Sequence, residues 1–373
     1  MRISHVAPTP FSPGPDGLLG GGERYPLELA RALAPLVSCE LVTFGQRPAR
    51  LRETSGLWVR TLPSLGHLWG HPAHPVAPAL PAALRSATVV HVHQMRSTPS
   101  RIAALAGRAR QQPVVVTDHG LQGSDWAGLL PRLFQRFLTV SAYSARELNA
   151  PPNRTRVVYG GADPVRFHPD GEQPRQGVLF VGRLTPHKGV DRLIQALPPG
   201  ATLRIAGSTG HDRAPPERGY PDLLHALAAG HDVRFLGAVP DAALPALYRG
   251  AQVLALPSVE RTCYGRTIRV SELLGLAALE AMASGTPVVC SRIGGLVEVV
   301  EHGVTGFLVE PGNVAELRDR LRELLADPAR AARFGRAARE RAQAQFTWRR
   351  CAERCLEAYD ELVAVGRQPP ALG

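Results

Sequence analysis

Short β-branched runs alternate with amphipathic stretches along the 373 residues, and this alternation constrains the fold more than any other feature. The strand candidates form two series: Ile3–Val6, Glu40–Phe44, Thr88–Val92, Val114–Thr117 and Leu138–Ser141, then Val178–Val181, Thr202–Ala206, Val233–Leu236, Val253–Leu256, Pro287–Cys290 and Gly306–Val309. Helical patterns such as Arg24–Leu36 and Val314–Ala326 lie between them. Such alternation predicts parallel sheets with helices on both faces. Two series predict an α/β chain of two Rossmann-like, doubly wound domains that face each other across a cleft.

The polar stretch 169–177, which contains prolines and glycines, is typical of a hinge between domains. We therefore expect an N-terminal domain over residues 1–170 and a C-terminal domain over residues 171–345. Residues 346–373 should form a C-terminal helix that packs back toward the N-terminal domain. The segment Thr61–Leu84 carries prolines at positions 63, 72, 75, 78 and 81, so we expect an irregular surface loop there.

The net charge of +11 is unevenly distributed, since residues 1–170 hold 18 arginines and 10 acidic residues. A basic first half suits an anionic partner such as a membrane surface or an acidic acceptor, and it equally suits a solvated, arginine-rich surface. Aromatic residues amount to 6% and no recognition motif is present, so we expect no nucleic-acid partner. Neither an apolar leader nor an apolar span is present, which favours a cytoplasmic location, with peripheral association at the inner face of the membrane left open.

Cysteines and histidines give little sign of a metal site. The five cysteines are scattered, and no two are spaced as Cys-x-x-Cys, which predicts reduced thiols. His91 and His93 alternate on a predicted strand and therefore face one side, where we expect packing or an acceptor contact rather than a metal. His67, His71 and His74 lie in the proline-rich loop without an acidic or cysteine partner, which argues against zinc.

A tight basic loop with Arg183 and Lys188 follows the strand candidate Val178–Val181. Lys188 is the only lysine among 43 basic residues, which favours a site that needs a compact ammonium group. Ligands of open α/β sheets bind beyond the carboxyl ends of the strands. Two cations at such an end can neutralise the charge that develops on a diphosphate leaving group. The alternative is a basic loop that is paired to surface acids.

Glu272 and Glu280 stand eight residues apart, about two turns of a helix, so that both can face one side. We place Glu272 near the start of this helix and Glu280 deeper in it. The backbone amides of Gly275, Leu276 and Ala277, near that start, can meet phosphate oxygens. This spacing of glutamates occurs on many solvated helix faces, and it becomes specific only beside the small-residue turn and the buried strand that follow.

The runs Gly182–Gly189 and Glu272–Val289 together resemble glycosyltransferase family 4, whose members have the GT-B architecture. Further matching elements are Gly294-Gly295 before Glu298, Gly303–Phe307 and Phe346–Trp348 in the second half, and, more loosely, Gly20–Gly22, Val90–His93, Thr117–Gly120, Val140-Ser141 and Gly161–Asp163 in the first. The resemblance covers most of the chain. It implies a retaining glycosyltransferase that takes a sugar from a nucleoside diphosphate sugar and needs no metal ion or other cofactor.

The resemblance also implies the roles of the donor-binding residues. Arg183 and Lys188 would hold the donor diphosphate, together with the amides at the start of the second run. Glu280 would accept hydrogen bonds from the ribose hydroxyls, and Glu272 would bind hydroxyls of the donor sugar. The C-terminal domain would thus be the nucleotide-sugar-binding domain.

In the first half, the resemblance implies that His119 lies beside the sugar at its anomeric face. Gly21 or Gly22 would let the backbone approach the phosphates. The N-terminal domain would bind a hydroxyl acceptor, which is a glycan, a lipid-linked molecule or a small metabolite. The leaving phosphate would help to deprotonate that acceptor on the front face.

The chain departs from the family pattern ahead of Glu272, where the insertion Val259–Ser271 adds residues. The insertion carries Arg261, Arg266 and Arg269. Two interpretations stay open: the insertion shapes the preference for donor or acceptor, or it is a neutral loop.

Three other functions also stay open. A nucleotide-sugar epimerase or hydrolase of the same architecture would consume the donor without an acceptor. A non-catalytic sugar-nucleotide-binding protein would keep the same motifs without turnover. A two-domain NAD dehydrogenase would need G-x-G-x-x-G directly after a strand, whereas Tyr25 stands where the run from Gly20 would need its third glycine.

Overall fold

The computed structural model describes residues 1–8, 21–121, 123–171, 174–209 and 217–367, with side chains as far as residue 364. The chain forms two compact units, one made of Met1–Gly160 and the chain from Trp348 onward, the other of Gly161–Thr347. The prediction of two α/β domains with mainly parallel sheets is confirmed. Within the described ranges, none of the helices combines the length and the hydrophobicity that a membrane crossing requires.

The elements are numbered here in chain order. The strands are β1 (Arg2–Val6), β2 (Ser38–Gly45), β3 (Ala49–Arg52), β4 (Trp58–Pro63), β5 (Val89–His93), β6 (Val114–Thr117), β7 (Arg136–Thr139), β8 (Thr155–Val157), β9 (Val178–Val181), β10 (Thr202–Ala206), β11 (Asp232–Gly237), β12 (Val253–Leu256), β13 (Val288–Ser291) and β14 (Gly306–Val309). The helices are α1 (Gly21–Leu33), α2 (Leu80–Ala83), α3 (Thr98–Arg110), α4 (Ala142–Glu147), α5 (Val190–Ala196), α6 (Tyr220–Ala228), α7 (Leu244–Arg249), α8 (Leu276–Ala283), α9 (Leu296–Val299), α10 (Val314–Ala326), α11 (Pro328–Gln345) and α12 (Trp348–Arg367).

The described strands of the first unit form one sheet in the order β3-β4-β2-β1-β5-β6-β7-β8. Only β3 runs antiparallel to its neighbour, β4. Strand order reverses between β1 and β5, and such a switch point is where open α/β sheets bind ligands. Helix α12 returns to this unit and packs along α1.

The five strands predicted for the first unit are confirmed, with small shifts at their ends, but β3, β4 and β8 are missed. All four residues of β3 are exposed, so it lacks the alternation that marks a half-buried strand. The expectation that Thr61–Leu84 is an irregular surface loop is wrong at both ends, and at the first of them residues 61–63 belong to β4 and Leu62 lies in the core. Leu80 and Leu84 have no exposed surface and belong to the hydrophobic core of this unit.

The described strands of the second unit form a wholly parallel sheet in the order β11-β10-β9-β12-β13-β14. All six predicted strands are confirmed. Strand order reverses between β9 and β12, so the loops that follow these strands lie side by side at the carboxyl edge. The long helices α10 and α11 begin at side-chain caps, where Asn313 accepts from the Glu316 amide and Asp327 accepts from the Arg330 amide.

The second unit begins at Gly161, ahead of the predicted hinge at 169–177. Packing explains the earlier start. Phe167 is buried and its ring meets that of Tyr248 edge-on, with 5.8 Å between centroids. Arg166 also pairs with Asp241 at 2.7 Å. The residues before the hinge are thereby held in the second unit.

Candidate functional site

The loop after β9 carries both predicted phosphate-binding cations. Pro186–Lys188 form one turn of 3₁₀ helix, and Gly189 follows with a left-handed backbone (φ 68°). A Cβ atom on Gly189 would collide with the carbonyl oxygen of Pro257, just beyond β12, so the two neighbouring loops touch through a glycine. Arg183 is exposed, whereas the side chain of Lys188 retains only 17% exposure.

Lys188 forms an ion pair with Glu272, the first glutamate of the predicted pair. Lys188 Nζ donates to Glu272 Oε2 at 2.6 Å, and the Glu272 side chain is 14% exposed. Ser258 Oγ donates to the same oxygen at 3.4 Å. The structure therefore brings a cation from the loop after β9 together with a carboxylate from the segment between β12 and β13.

The prediction that Glu272 and Glu280 share one helix is wrong. Helix α8 begins at Leu276. The residue before it, Gly275, has a left-handed backbone (φ 96°), so the right-handed helix cannot extend through Gly275 toward Glu272. Glu272 lies in the preceding loop, where the Gly295 amide donates to its carbonyl oxygen at 3.1 Å. Different elements therefore position the two glutamates: Glu272 lies in a loop that is hydrogen-bonded to Gly295, and Glu280 lies in α8.

Glu280 is 5% exposed and lies in the second turn of α8. Its Oε2 accepts a hydrogen bond from the Tyr248 hydroxyl at 2.8 Å. A buried carboxylate with a fixed phenolic donor keeps one orientation, which suits a group that recognises hydroxyls. The contribution of Tyr248, on α7, was missed because no sequence spacing links it to Glu280.

Gly275, Leu276 and Ala277 lie at the N-terminus of α8, as predicted. The Ala278 and Leu279 amides both donate to the Gly275 carbonyl oxygen, which closes the first turn. The amides ahead of them carry the positive end of the helix dipole. This end can therefore receive an anion.

The insertion Val259–Ser271 folds against the basic loop. The Val259 amide donates to the His187 carbonyl oxygen at 2.8 Å. Within the insertion, Arg261 and Thr267 form an antiparallel β-bridge. Burial and the neighbouring cations Lys188, Arg183 and Arg266 lower the pKa of His187 to about 3, so its ring is neutral at pH 7. Arg266 thus adds its field to the loop. The sequence identified this residue only as part of the insertion.

In the first unit, His119 follows β6 and is half-buried. Its ring stacks on His93, with centroids 5.8 Å apart, and meets the edge of Tyr25 at 5.0 Å. Burial lowers the pKa of His119 to about 4, so the ring is neutral near pH 7. Its buried Nε2 has no hydrogen-bond partner among the described residues.

Three buried histidines lie at the β1/β5 switch point. His5 pairs in register with His91, and His5 Nδ1 lies 3.1 Å from His93 Nε2. Both ring nitrogens of His91 are engaged, one with the Thr117 hydroxyl at 2.8 Å and the other with the Tyr359 hydroxyl at 2.7 Å. One ring nitrogen of each histidine lies within 4.8 Å of the others. The prediction that His91 and His93 share one face is confirmed, and the contribution of His5 was missed.

Burial keeps these three rings neutral. It lowers the pKa of His5 to about 3, and it lowers the pKa values of His91 and His93 well below the ordinary value. Gly21 and Gly22 open α1 in the same unit, while Gly20 lies outside the described residues. The first unit therefore offers neutral imidazoles and a helix N-terminus.

Known proteins share both halves of this architecture. A family model described as Glycosyl transferases group 1 matches residues 167–341, and one described as Glycosyltransferase Family 4 matches residues 19–166. The D-inositol 3-phosphate glycosyltransferase 1 of Catenulispora acidiphila is 29% identical over 98% of this chain and 96% of that protein. Glycogen synthase of Mycobacterium tuberculosis is 38% identical over 57% of this chain. That match covers 50% of the relative, so the chain spans about half of its length.

Among solved structures, Anabaena HepE in complex with UDP has a TM-score of 0.74 to this chain. Its sequence is 20% identical over 97% of this chain and 100% of that chain, which shows a shared fold. The family models, the two parallel sheets and this shared fold agree. The chain belongs to glycosyltransferase family 4 and has the GT-B architecture.

Proposed function

We propose that this protein is a retaining, metal-independent glycosyltransferase that moves a sugar from a nucleoside diphosphate to a hydroxyl acceptor. The observation that carries the proposal is the ion pair of Lys188 with Glu272 at the β9/β12 switch point, which is followed along the chain by α8 with the buried Glu280. A cation for phosphate and two carboxylates for hydroxyls are what a nucleotide sugar requires.

The diphosphate would bind at Arg183 and Lys188, with the α8 amides of Gly275, Leu276 and Ala277 beside them. Lys188 and the α8 amides are held in place before the reaction, so they stabilise the charge that grows on the leaving diphosphate with little reorganisation, and the exposed Arg183 would close onto it. Two side-chain cations and a helix N-terminus supply the positive charge that a divalent ion supplies in other phosphate sites. We therefore propose catalysis without a metal ion or other cofactor.

The two carboxylates would recognise the rest of the donor. Glu280, oriented by Tyr248, would accept hydrogen bonds from the ribose hydroxyls. Glu272 would bind hydroxyls of the donor sugar, which requires its oxygen to leave Lys188 Nζ. The phosphate that Lys188 then binds replaces the carboxylate as its counter-ion, so the charge of the loop stays balanced.

The first unit would bind the acceptor, which is a glycan, a lipid-linked molecule or a small metabolite. His119 would lie beside the anomeric carbon as a neutral ring, and Gly21 and Gly22 would let the backbone of α1 approach the phosphates. In a front-face transfer, the anomeric C–O bond to phosphate breaks as the acceptor oxygen attacks from the same side. The acceptor proton passes to the leaving phosphate, which balances the step. The configuration is retained because the new bond forms on the face that the phosphate leaves.

Relatives support a nucleotide-sugar donor. One carries the name glycogen synthase, another transfers to D-inositol 3-phosphate by its name, and HepE was solved with UDP. The donor preference of this chain would be found by a thermal-shift screen of UDP-, GDP- and ADP-sugars. A ligand at about 100 times its Kd should stabilise the protein by about 2.7 kcal/mol.

Turnover of the selected donor would then be measured with sugar acceptors in EDTA, and the anomer of the product would be assigned by NMR. We expect full activity in EDTA and retention. Loss of activity that Mn²⁺ restores would contradict metal independence, and inversion would contradict the front-face route. Donor consumption without an acceptor would indicate a hydrolase or epimerase, and binding without turnover would indicate a non-catalytic protein.

A further inference from the structure

A hairpin of the first unit carries three exposed apolar side chains within five residues. The exposed fractions are 79% for Leu65, 42% for Leu68 and 77% for Trp69. Single exposed hydrophobic residues occur elsewhere on this protein and are ordinary. A cluster that includes tryptophan is different, since such patches mark interaction sites.

Backbone hydrogen bonds close the hairpin, and its apolar side chains face solvent. The Leu65 amide donates to the Val76 carbonyl oxygen and the Leu68 amide donates to the His74 carbonyl oxygen, both at 2.9 Å. His74 is 7% exposed, and its Nδ1 lies 3.1 Å from the Thr98 hydroxyl. The base is therefore anchored in the unit, and the exposure of the tip is a built feature.

Trp69 at the tip adopts a left-handed backbone (φ 55°, ψ 20°). This conformation is strained for a residue with a large side chain. Its indole meets the His74 ring edge-on, with 5.1 Å between centroids, and most of its surface faces solvent. Removing the exposed Trp69 indole from water would therefore stabilise the hairpin in its bound state.

The charges around the hairpin identify what covers it. Residues 1–160 hold 17 arginines against 8 acidic residues. The Ser64 amide, at the base of the hairpin, donates to the Gly45 carbonyl oxygen, two residues before the exposed Arg47. The edge strand β3 starts beside this base, with Ala49 opposite Thr61, and the side chain of its Arg50 is 52% exposed and pairs with Glu40 at 3.5 Å. An apolar tip bordered by arginines matches the interface of an anionic bilayer, where indole rings lie at headgroup depth and each cation is attracted by acidic lipid.

We propose that the hairpin Leu65–Val76 is a membrane-docking element that inserts Leu65, Leu68 and Trp69 into the interface of an anionic bilayer. Arg47 and Arg50 lie against the lipid headgroups. The element belongs to the first unit alone and is independent of the donor-binding residues. It therefore gives peripheral attachment whatever the acceptor is.

Flotation of the full chain tests the proposal. Vesicles would contain phosphatidylcholine alone or phosphatidylcholine with phosphatidylglycerol, and binding should require the anionic lipid. Leu65→Ser with Trp69→Ser should weaken binding at least about tenfold, from the apolar area that is lost. The matched control is Leu105→Ser with Leu129→Ser, whose side chains are 52% and 57% exposed elsewhere on the unit and whose loss should change nothing.

Fluorescence quenching gives a second test, which uses the wild type and two conservative Trp→Phe variants. Brominated phospholipids should quench the wild type, and Trp69→Phe should lose that quenching while Trp126→Phe keeps it. A wild type that does not float with anionic vesicles would overturn the proposal, as would equal flotation of the double variant or equal quenching of Trp69→Phe. Each of these results would point to a protein partner or to bare solvent at the tip.

Discussion

The two units place different chemistry at equivalent positions of their sheets. At the β9/β12 switch point, Lys188 and Glu272 are charged, half-buried and paired, and Arg183 is exposed beside them. At the β1/β5 switch point, His5 and His93 are completely buried and held neutral. The same topology therefore supports a paired lysine and glutamate in one unit and a cluster of neutral imidazoles in the other, although the first unit also holds the ion pair of Arg96 with Asp118 beside that cluster.

The difference corresponds to two tasks in the proposed transfer. A diphosphate carries negative charge that grows as the glycosidic bond breaks, so its site needs cations that are fixed in place. A hydroxyl acceptor is neutral, and a neutral imidazole can accept or donate a hydrogen bond without repelling or trapping a phosphate. Each site then responds differently to loss of charge and to pH, and this contrast can be tested.

The largest effect should follow loss of the unique lysine. Lys188→Ala should lower kcat/KM for the donor by about a hundredfold to a thousandfold, because one preorganised charge is removed from the leaving diphosphate. Steady-state kinetics at saturating acceptor would measure it. Arg333→Ala, an exposed cation of α11, is the control and should leave the rate unchanged. An unaltered rate for Lys188→Ala would remove the charged site from the mechanism.

The second effect concerns acid stability, and it should be larger in the first unit, where the pKa values of His5, His91, His93 and His119 are all lowered, than in the second, where His187 acts in the same direction. An unfolded histidine has a pKa near 6.5, whereas the pKa of buried His5 is about 3. Between these values the unfolded chain binds a proton that the folded chain does not, so the free energy of unfolding falls as pH falls. At pH 5 one such residue costs about 2 kcal/mol. His91 and His93 act in the same direction.

Hydrogen exchange at pH 7.5 and pH 5 would check this. Peptides from β1 and β5 should lose more protection at the lower pH than peptides from β12 and β13. His5→Asn should flatten the pH dependence, and His231→Asn, an exposed histidine of the second unit, should not. Equal acid sensitivity of both sheets would show that the neutral histidines do not govern the stability of the first unit.

A smaller effect should follow from Tyr248→Phe, which removes the donor to Glu280. Loss of a hydrogen bond to a charged group corresponds to about tenfold, and we expect it in the KM of the donor with kcat little changed. Tyr359→Phe removes a comparable buried hydroxyl from His91 in the first unit and should lower stability without altering that KM. If both variants raised the donor KM alike, Tyr248 would have no particular role at the ribose.

The sequence predicts the charged side of this contrast, but not the neutral, buried histidines of the first unit. Strand–helix alternation identifies both sheets, and the single lysine identifies the charged loop. The start of α8 was placed too early because Glu272 and Glu280 have helical spacing, and the spacing does not show that Gly275 has a left-handed backbone. Strand β3 is not predicted because its residues are all exposed and show no apolar alternation.

The supporting residues lie further from what a sequence shows. Tyr248 reaches Glu280 from another helix, and His5 reaches His93 across two adjacent strands that are distant in the chain. Such contacts depend on strand order and helix packing, which local patterns do not specify. The residues that bear charge at strand ends could therefore be predicted, whereas those that orient them needed the fold.

The smallest effect should come from Arg266, the cation that the insertion adds to the charged site. Its field contributes to the low pKa of His187, although its side chain is 61% exposed and paired with Glu217 at 3.0 Å. Arg266→Ala should therefore raise the donor KM only about threefold, and the effect should shrink with added salt because exposed charges are screened. Arg234→Ala, whose exposed pair with Asp232 lies on β11, is the matched control and should have no effect. A salt-independent change, or the same change in both variants, would mean that the insertion Val259–Ser271 is a neutral loop. The charged site would then consist only of residues that match the family pattern.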